Sequence, residues 1–262
     1  MPATALPDLR PGDAYVQSFA RGLEVIRSFS AAAPRQTLTE VAGRTGLTRA
    51  GARRILLTLQ ALGYVESDGK LFTLTPRILD LGFAYLSSMP MWNVAEPLME
   101  ALVEEVKESC SAAVLEGADI VYVLRVSTRK IMRNTLGIGS RLPAYCTSMG
   151  RMLLAGLPDE AIREMLRAAP LQARTRHTLT EAEGVLAKVQ QARRQGWCLV
   201  NQELEEGLLS MAAPVTDRAG RIIAAINISG QVNRTSARVM QETMLAPLRE
   251  AAQLISRRVV GG

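Results

Sequence analysis

The chain has 262 residues, 48% hydrophobic and 21% charged, and its 31 Lys and Arg exceed 25 Asp and Glu for a formal net charge of +6. That length and apolar content suffice for two packed domains and exclude a disordered chain. Three separated cysteines, Cys110, Cys146 and Cys198, exclude a disulfide framework, and the basic excess suits an anionic partner.

The first residues, "MPATALPDLRPGD", carry acids and prolines instead of an apolar core. They read as an arm containing Arg10 and not as a signal peptide. No apolar run reaches the roughly 18–20 residues that cross a bilayer, so the expected compartment is the cytoplasm, with no membrane partner. A helix follows in "AYVQSFARGLEVIRSF", with Phe19, Leu23 and Ile26 as its apolar stripe. "SAAAPRQ" breaks it.

The next thirty residues, "TLTEVAGRTGLTRAGARRILLTLQALGYVE", carry the first functional signal. Thr37 and Glu40 have capping-box spacing, so a helix starts near Leu38. Gly46 supplies the turn, and Thr48 can cap a second helix. In that helix Ala52, Ile55, Leu56, Leu59 and Leu62 share the core side. At about 100° per residue the opposite side shows Ala50, Arg53, Arg54 and Leu57, with Arg49 on the flank of the first turn. Small residues and arginines near a helix N-terminus fit the major groove, where arginine clasps guanine edges or holds phosphates. "YVESDGKLFTLTP" then predicts a hairpin turning at Asp68-Gly69, a wing whose Lys70 can reach the neighbouring backbone. Thr48, Arg49, Ala50, Arg53, Arg54 and Lys70 are the DNA-binding candidates, and double-stranded operator DNA is the expected partner.

Pro76 opens a further helix, "PRILDLGFAYLSS", whose apolar side is Ile78, Leu81 and Tyr85. The pattern changes at "MPMW". A helix with Leu98, Leu102 and Val106 on one side is followed by strands in "SAAVLE", "DIVYVLRV" and "IMRNTLGIG". Two helices come next, "TSMGRMLLAGL" and "PDEAIREMLRAA". A third carries the capping pattern Thr180-x-x-Glu183 and ends at Gly196. Strands resume at "WCLVNQ", "LLSMAAPVT" and "RIIAAINIS", and a last helix runs from about Ser236 towards Arg258. Strand meander, helices, strand meander and helix predict an α+β fold around a mostly antiparallel sheet. The expected division is a winged helix-turn-helix over 15–76, a linker helix over 77–90 and an effector-binding domain over 91–262.

"LTEVAGRTGLTRAGARRILLTLQALGYV" resembles the winged helix-turn-helix of the IclR family of bacterial transcriptional regulators. "GSRLPAYCTSMGRMLLAGL", "TRHTLT", "ARRQGWCLVNQELEEGLLSMAAPV" and "AAINISG" follow in the order of that family's effector domain. "RLPAYCTSMGR" most resembles the branch that responds to protocatechuate, para-hydroxybenzoate or related aromatic acids. The resemblance implies a GAF/PAS-like effector domain, dimers that often pair into tetramers, and a small organic acid, here an aromatic carboxylate, as effector. It implies a pocket lined by Ser148, Met149, Leu208, Ser210, Asn227 and Ser229. Asn227 and Ser229 alternate along one strand and so face one side. Ser148 and backbone amides at a helix start suit a carboxylate. Val200 and Met149 stand where relatives carry an acidic and a small residue, which makes the cavity less polar. A carboxylate also asks for a cation: Arg133 is taken over Arg125 and Arg129, with Asn134 as pocket residue should the strand run in the other phase. Effector binding would act as a population shift that redisposes the DNA-binding heads.

The other constellations point elsewhere less strongly. His177 is the single histidine and sits in a polar loop, so no Ser-His-Asp or Cys-His arrangement forms. Cys146 reads as a packing thiol. Glu203, Glu205 and Glu206 read as a solvated turn and not as metal ligands. No phosphate-cradling glycine loop occurs. The expectation is therefore a regulator without cofactor or metal and not an enzyme. The alternatives are an IclR-type sensor of a small aliphatic keto or hydroxy acid, an enzyme using the C-terminal domain, and an architectural DNA binder without effector.

Overall fold

The computed structural model describes residues 15–128, 136–168 and 170–261. The chain divides into two compact units between Tyr85 and Leu86.

The first unit holds α1 (Gln17–Ser28), β1 (Arg35–Thr37), α2 (Leu38–Thr45), α3 (Arg49–Ala61), β2 (Val65–Ser67) and β3 (Leu71–Leu74). Local chemistry sets its boundaries. The Thr37 amide donates to Glu40 Oε2 at 2.7 Å and the Glu40 amide to Thr37 Oγ1 at 3.3 Å, the reciprocal bonds of a capping box. Gly46 ends α2 with φ 66°, the left-handed conformation that glycine adopts without a Cβ penalty. Thr48 Oγ1 accepts from the Gly51 amide at 3.1 Å and opens α3. Val25, Val41, Ala42, Ala52, Leu56, Leu59 and Val65 form the buried centre.

Three details depart from the sequence reading. The stripe Phe19, Leu23 and Ile26 is only in part the core side of α1: Ile26 packs against the core, but Phe19 is 68% exposed and Val25 is the buried residue. Leu62 is exposed, so the core side of α3 stops a turn earlier. The wing also has a third strand, because β1 pairs antiparallel with β3 where a plain connection was expected.

The helix α4 (Leu79–Ser87) follows a 3₁₀ turn at Pro76–Ile78. Its apolar residues Leu79, Leu81 and Phe83 are exposed.

The second unit comprises α5 (Met91–Val106), β4 (Ser109–Glu116), β5 (Asp119–Val126), β6 (Arg141–Pro143), α6 (Ser148–Leu154), α7 (Asp159–Arg167), α8 (Ala182–Gln195), β7 (Cys198–Asn201), β8 (Leu208–Thr216), β9 (Ile222–Gln231) and α9 (Ala237–Gly261). The six strands form one antiparallel sheet in the order β6-β5-β4-β9-β8-β7. Alternation along β9 sends Ala224, Ile226 and Ile228 to a core shared with α5 and α9, while Ala225 packs with α6, α7 and α8 on the opposite face. The unit is thus helices, sheet, helices, an α+β arrangement. The buried side of α5 is Trp92, Ala95, Met99, Leu102 and Val103, so that of the expected stripe Leu102 is buried and Leu98 and Val106 pack partly buried at its edge. The α8 cap also slips by one residue: Glu181 is the N-cap without a side-chain bond. Glu183 is bonded to Arg163 Nε at 3.1 Å instead of closing a box with Thr180.

A bulge bends the sheet beside the site. Ala112 pairs with Leu124 but Ala113 pairs with Tyr122, so Val123 is an extra residue in β5. A bulge reverses the inside-outside phase on either side of it. Arg125 therefore lies opposite Ser111, on the same face as Tyr122.

Candidate functional site

Two regions carry the predicted chemistry. On the first unit, Thr48, Arg49, Ala50, Arg53 and Arg54 are all exposed along α3, and Lys70 is exposed in the wing. Arg49, Arg53 and Arg54 pair with no carboxylate among the described residues, while the neighbouring wing residues Arg35 and Asp68 pair with each other at 2.6 Å. Asp68 also accepts from the Lys70 and Leu71 amides at 3.0 and 2.8 Å. The amides of Leu71 and Lys70 hold its carboxyl below the usual range, with a smaller contribution from Arg35. That turn fixes where Lys70 projects. A row of unpaired guanidinium groups on a helix with small residues at its start can grip phosphates and reach base edges.

On the second unit, Ser148, Met149, Leu208, Ser210, Asn227 and Ser229 line one cavity of about 30 Å³, room for one or two water molecules. Its polar centre is Asn227. The Asn227 amide group donates to Ser210 Oγ and to Ser229 Oγ, each at 2.9 Å, and its Oδ1 accepts from the Ser111 backbone amide at 3.1 Å. Ser148 Oγ and Ser210 Oγ share a bond of 2.7 Å. Both Asn227 amide hydrogens and one of the two Oδ1 lone pairs are thus engaged by partners on β4, β8 and β9, which holds the side chain in one orientation. The apolar wall is Leu136, Met149, Val200, Leu204 and Leu208.

Arg133 and Asn134 lie outside the described residues, as does Arg129. Arg125, ranked below Arg133 from sequence, lines the cavity. Its Nη1 reaches Ser111 Oγ at 3.5 Å and its Nε reaches Ser127 Oγ at 3.3 Å. No carboxylate neutralises it among the described residues. Tyr122, Cys146 and Thr147 also line the cavity and were not among the candidates.

The cavity is built by α6. Gly150 lies where a Cβ would stand 2.3 Å from Ala144 Cα and from its carbonyl oxygen. Only glycine lets the helix press against the Ala144–Cys146 turn, which aims Ser148 and Met149 inward. Thr147 caps α6 by accepting from the Gly150 amide at 3.2 Å.

One expectation is overturned. Glu203 is not part of a solvated turn: it is buried and forms a bidentate ion pair with Arg151, Nη1 to Oε1 at 2.6 Å and Nη2 to Oε2 at 2.5 Å. The arginine is 1% exposed. No single-residue signal marks this pair, since its members stand 52 positions apart.

The lining offers hydrogen bonds, one cation and apolar walls, but no activated nucleophile. Burial pushes the Cys146 thiol up to about 11, far from a reactive thiolate. His177 is exposed and lines a separate groove, so it cannot serve the cavity serines. Among the described residues no cluster of His, Cys, Asp or Glu could hold a metal, and no helix is long and apolar enough to cross a membrane. The arrangement suits binding an amphiphilic anion.

Residues 18–69 match the IclR helix-turn-helix domain, and residues 83–257 match the bacterial transcriptional regulator IclR C-terminal domain. The chain belongs to the IclR family. A Pca regulon regulatory protein of Pseudomonas putida is 42% identical over 248 residues, spanning 94% of this chain and 85% of that relative. The crystal structure of a proposed transcriptional regulator from Rhodococcus sp. RHA1 is similar at TM-score 0.85 and 48% identity, over 94% of this chain and 98% of its own. An IclR homologue from Microbacterium hydrocarbonoxydans, crystallised with 4-hydroxybenzoate, is similar at TM-score 0.81 and 26% identity, over 92% of this chain and 98% of that one. This IclR-family member is a ligand-responsive, DNA-binding transcriptional regulator, and its family is one of regulators and not of enzymes.

Proposed function

We propose that the second unit senses an aromatic carboxylate and that the first reads operator DNA through Thr48, Arg49, Ala50, Arg53, Arg54 and Lys70. The observation that carries the effector reading is a cavity that joins a hydrogen-bonded polar centre at Asn227 to an apolar wall, with Arg125, unpaired with any carboxylate among the described residues, in its lining. A ring sits against Met149, Val200, Leu204 and Leu208, and the carboxylate meets Arg125 with the help of Ser148, Ser210 and Ser229. Small keto acids would leave that apolar wall uncovered. The 42% identical Pca regulon regulatory protein and the homologue crystallised with 4-hydroxybenzoate support the aromatic class.

An aromatic acid exceeds a volume of about 30 Å³, so it binds only as the lining gives way. Met149, Leu204 and Leu208 have the side-chain freedom to move. Effector binding then selects a wider form of the cavity, and that differential affinity drives regulation. We also propose that the protein works as a homodimer or a dimer of dimers, supported by the exposed Phe19, Leu79, Leu81 and Phe83.

Calorimetry with 4-hydroxybenzoate, protocatechuate, pyruvate and glyoxylate tests the effector class. Heat from an aromatic acid, lost in Arg125→Ala, is the expected result. Heat from the aliphatic acids alone overturns it.

A further inference from the structure

We infer that Arg151 and Glu203 are positioning residues for the effector cavity: their buried ion pair holds the two sides of the cavity wall in register. The inference rests on the aromatic-acid reading of that cavity. Neither residue belongs to the polar centre, yet each adjoins the lining. Arg151 follows Ser148 and Met149 by less than one turn of α6, and Glu203 immediately precedes Leu204.

The guanidinium ties three segments together. Its two terminal nitrogens hold both Glu203 oxygens, and Nε donates to the Tyr145 carbonyl at 2.8 Å. Tyr145 directly precedes the lining residues Cys146, Thr147 and Ser148. Glu203 Oε2 also accepts from the Leu179 amide at 3.3 Å. Thr178 Oγ1 donates to the Glu203 carbonyl at 2.6 Å, and Thr175 Oγ1 donates to the Gln202 carbonyl at 2.7 Å. The segment from Gln202 to Gly207 needs such anchorage. Gln202 has φ 61° and Gly207 φ 83°, so both ends turn through the left-handed region while Leu204 is presented to the cavity.

Stability alone does not explain the pair. Removing two charges from water costs about as much as a buried bridge returns, and apolar substitutes of similar volume often fold equally well. What apolar substitutes lack is direction. A planar fork on a carboxylate fixes distance and angle together. The pair thus sets the spacing between the Cys146–Met149 wall and Leu204, the two sides that an incoming ring must separate.

The test uses the full-length protein, the double variant Arg151→Met/Glu203→Leu and the single variant Arg151→Lys, each checked by its thermal unfolding midpoint. The measurements are calorimetric affinity for 4-hydroxybenzoate and the iodoacetamide labelling rate of Cys146, read by peptide mass spectrometry. The double variant is expected to retain a cooperative fold, to bind 4-hydroxybenzoate about tenfold or more weakly, and to label faster at Cys146, the scale on which lost outer-shell support acts. Arg151→Lys keeps the charge and recovers part of that affinity. Wild-type affinity in the double variant overturns the proposal, as does an Arg151→Lys protein no better than the double one. If the wild type gives no heat with 4-hydroxybenzoate or protocatechuate, the aromatic-acid reading falls by itself. The labelling rate then decides the clasp: faster in the double variant supports it, and unchanged overturns it.

Discussion

The arginine face of α3 and the cavity of the second unit use the same residue in opposite ways. On α3, Arg49, Arg53 and Arg54 are exposed and free of carboxylates among the described residues, so their charge is offered to a partner. Beside the cavity, Arg151 is 1% exposed and spends its donors inside the protein. A surface arginine keeps its hydration until a polyanion replaces it, and its loss leaves the fold intact. A buried one is part of the fold, and removing its partner strands a charge without water. The comparison therefore separates residues proposed to grip from residues that shape.

Four substitutions sharpen or break that separation. The largest effect belongs to Glu203→Gln, which leaves the buried Arg151 guanidinium without its countercharge and is expected to lower unfolding free energy by about 3–5 kcal/mol. Denaturant titration measures it; a change within about 0.5 kcal/mol, the scale of an ordinary surface substitution, would place Arg151 with the gripping residues. Gly150→Ala comes next. A Cβ at 2.3 Å from the Ala144 backbone forces α6 outward, and overpacking of this kind costs about 1–3 kcal/mol. Its signature is loss of 4-hydroxybenzoate binding together with a lower melting temperature, and unaltered binding would show that the α6 start can shift freely.

Arg53→Ala should leave the melting temperature alone while weakening operator binding by about 1–3 kcal/mol and relaxing specificity at one position if it reads a guanine. An unchanged gel-shift midpoint would remove Arg53 from the interface. Thr48→Ala is the smallest, about 1 kcal/mol of stability from the lost bond to the Gly51 amide. Because it also frays the first turn that carries Arg49 and Ala50, operator affinity is expected to fall alongside.

The same contrast explains what the sequence disclosed. The grip is local. Thr37 with Glu40, Gly46, Thr48 and the spacing of Arg49, Arg53 and Arg54 all lie within one short stretch, and helical periodicity sorts them without knowledge of the rest. The cavity positions Asn227 and Ser229 were also legible, from alternation and the family resemblance together, and Ser210 from the resemblance alone. What stayed hidden depends on partners far along the chain. Arg125 stood behind Arg133 in the sequence reading, and the extra residue at Val123, which puts Arg125 on the Tyr122 face, has no composition signal. Glu203 read as solvated for want of any hint that Arg151 faces it. Thr180 was one residue early as a cap because Thr-x-x-Glu spacing is satisfied equally well by a loop whose glutamate turns to Arg163. The third wing strand, Arg35–Thr37, is too short to show a period and exists only by pairing with β3.

The central claim is that a filled cavity in the second unit changes how well the arginine helix holds DNA. It is tested most directly by measuring operator affinity with and without saturating 4-hydroxybenzoate, in the wild type and in Asn227→Leu. The account predicts a shift of about 5- to 150-fold in the wild type, the usual range of allosteric coupling, and none in the variant. An equal shift in both proteins would contradict it, since the acid would then be acting somewhere other than the Asn227 centre.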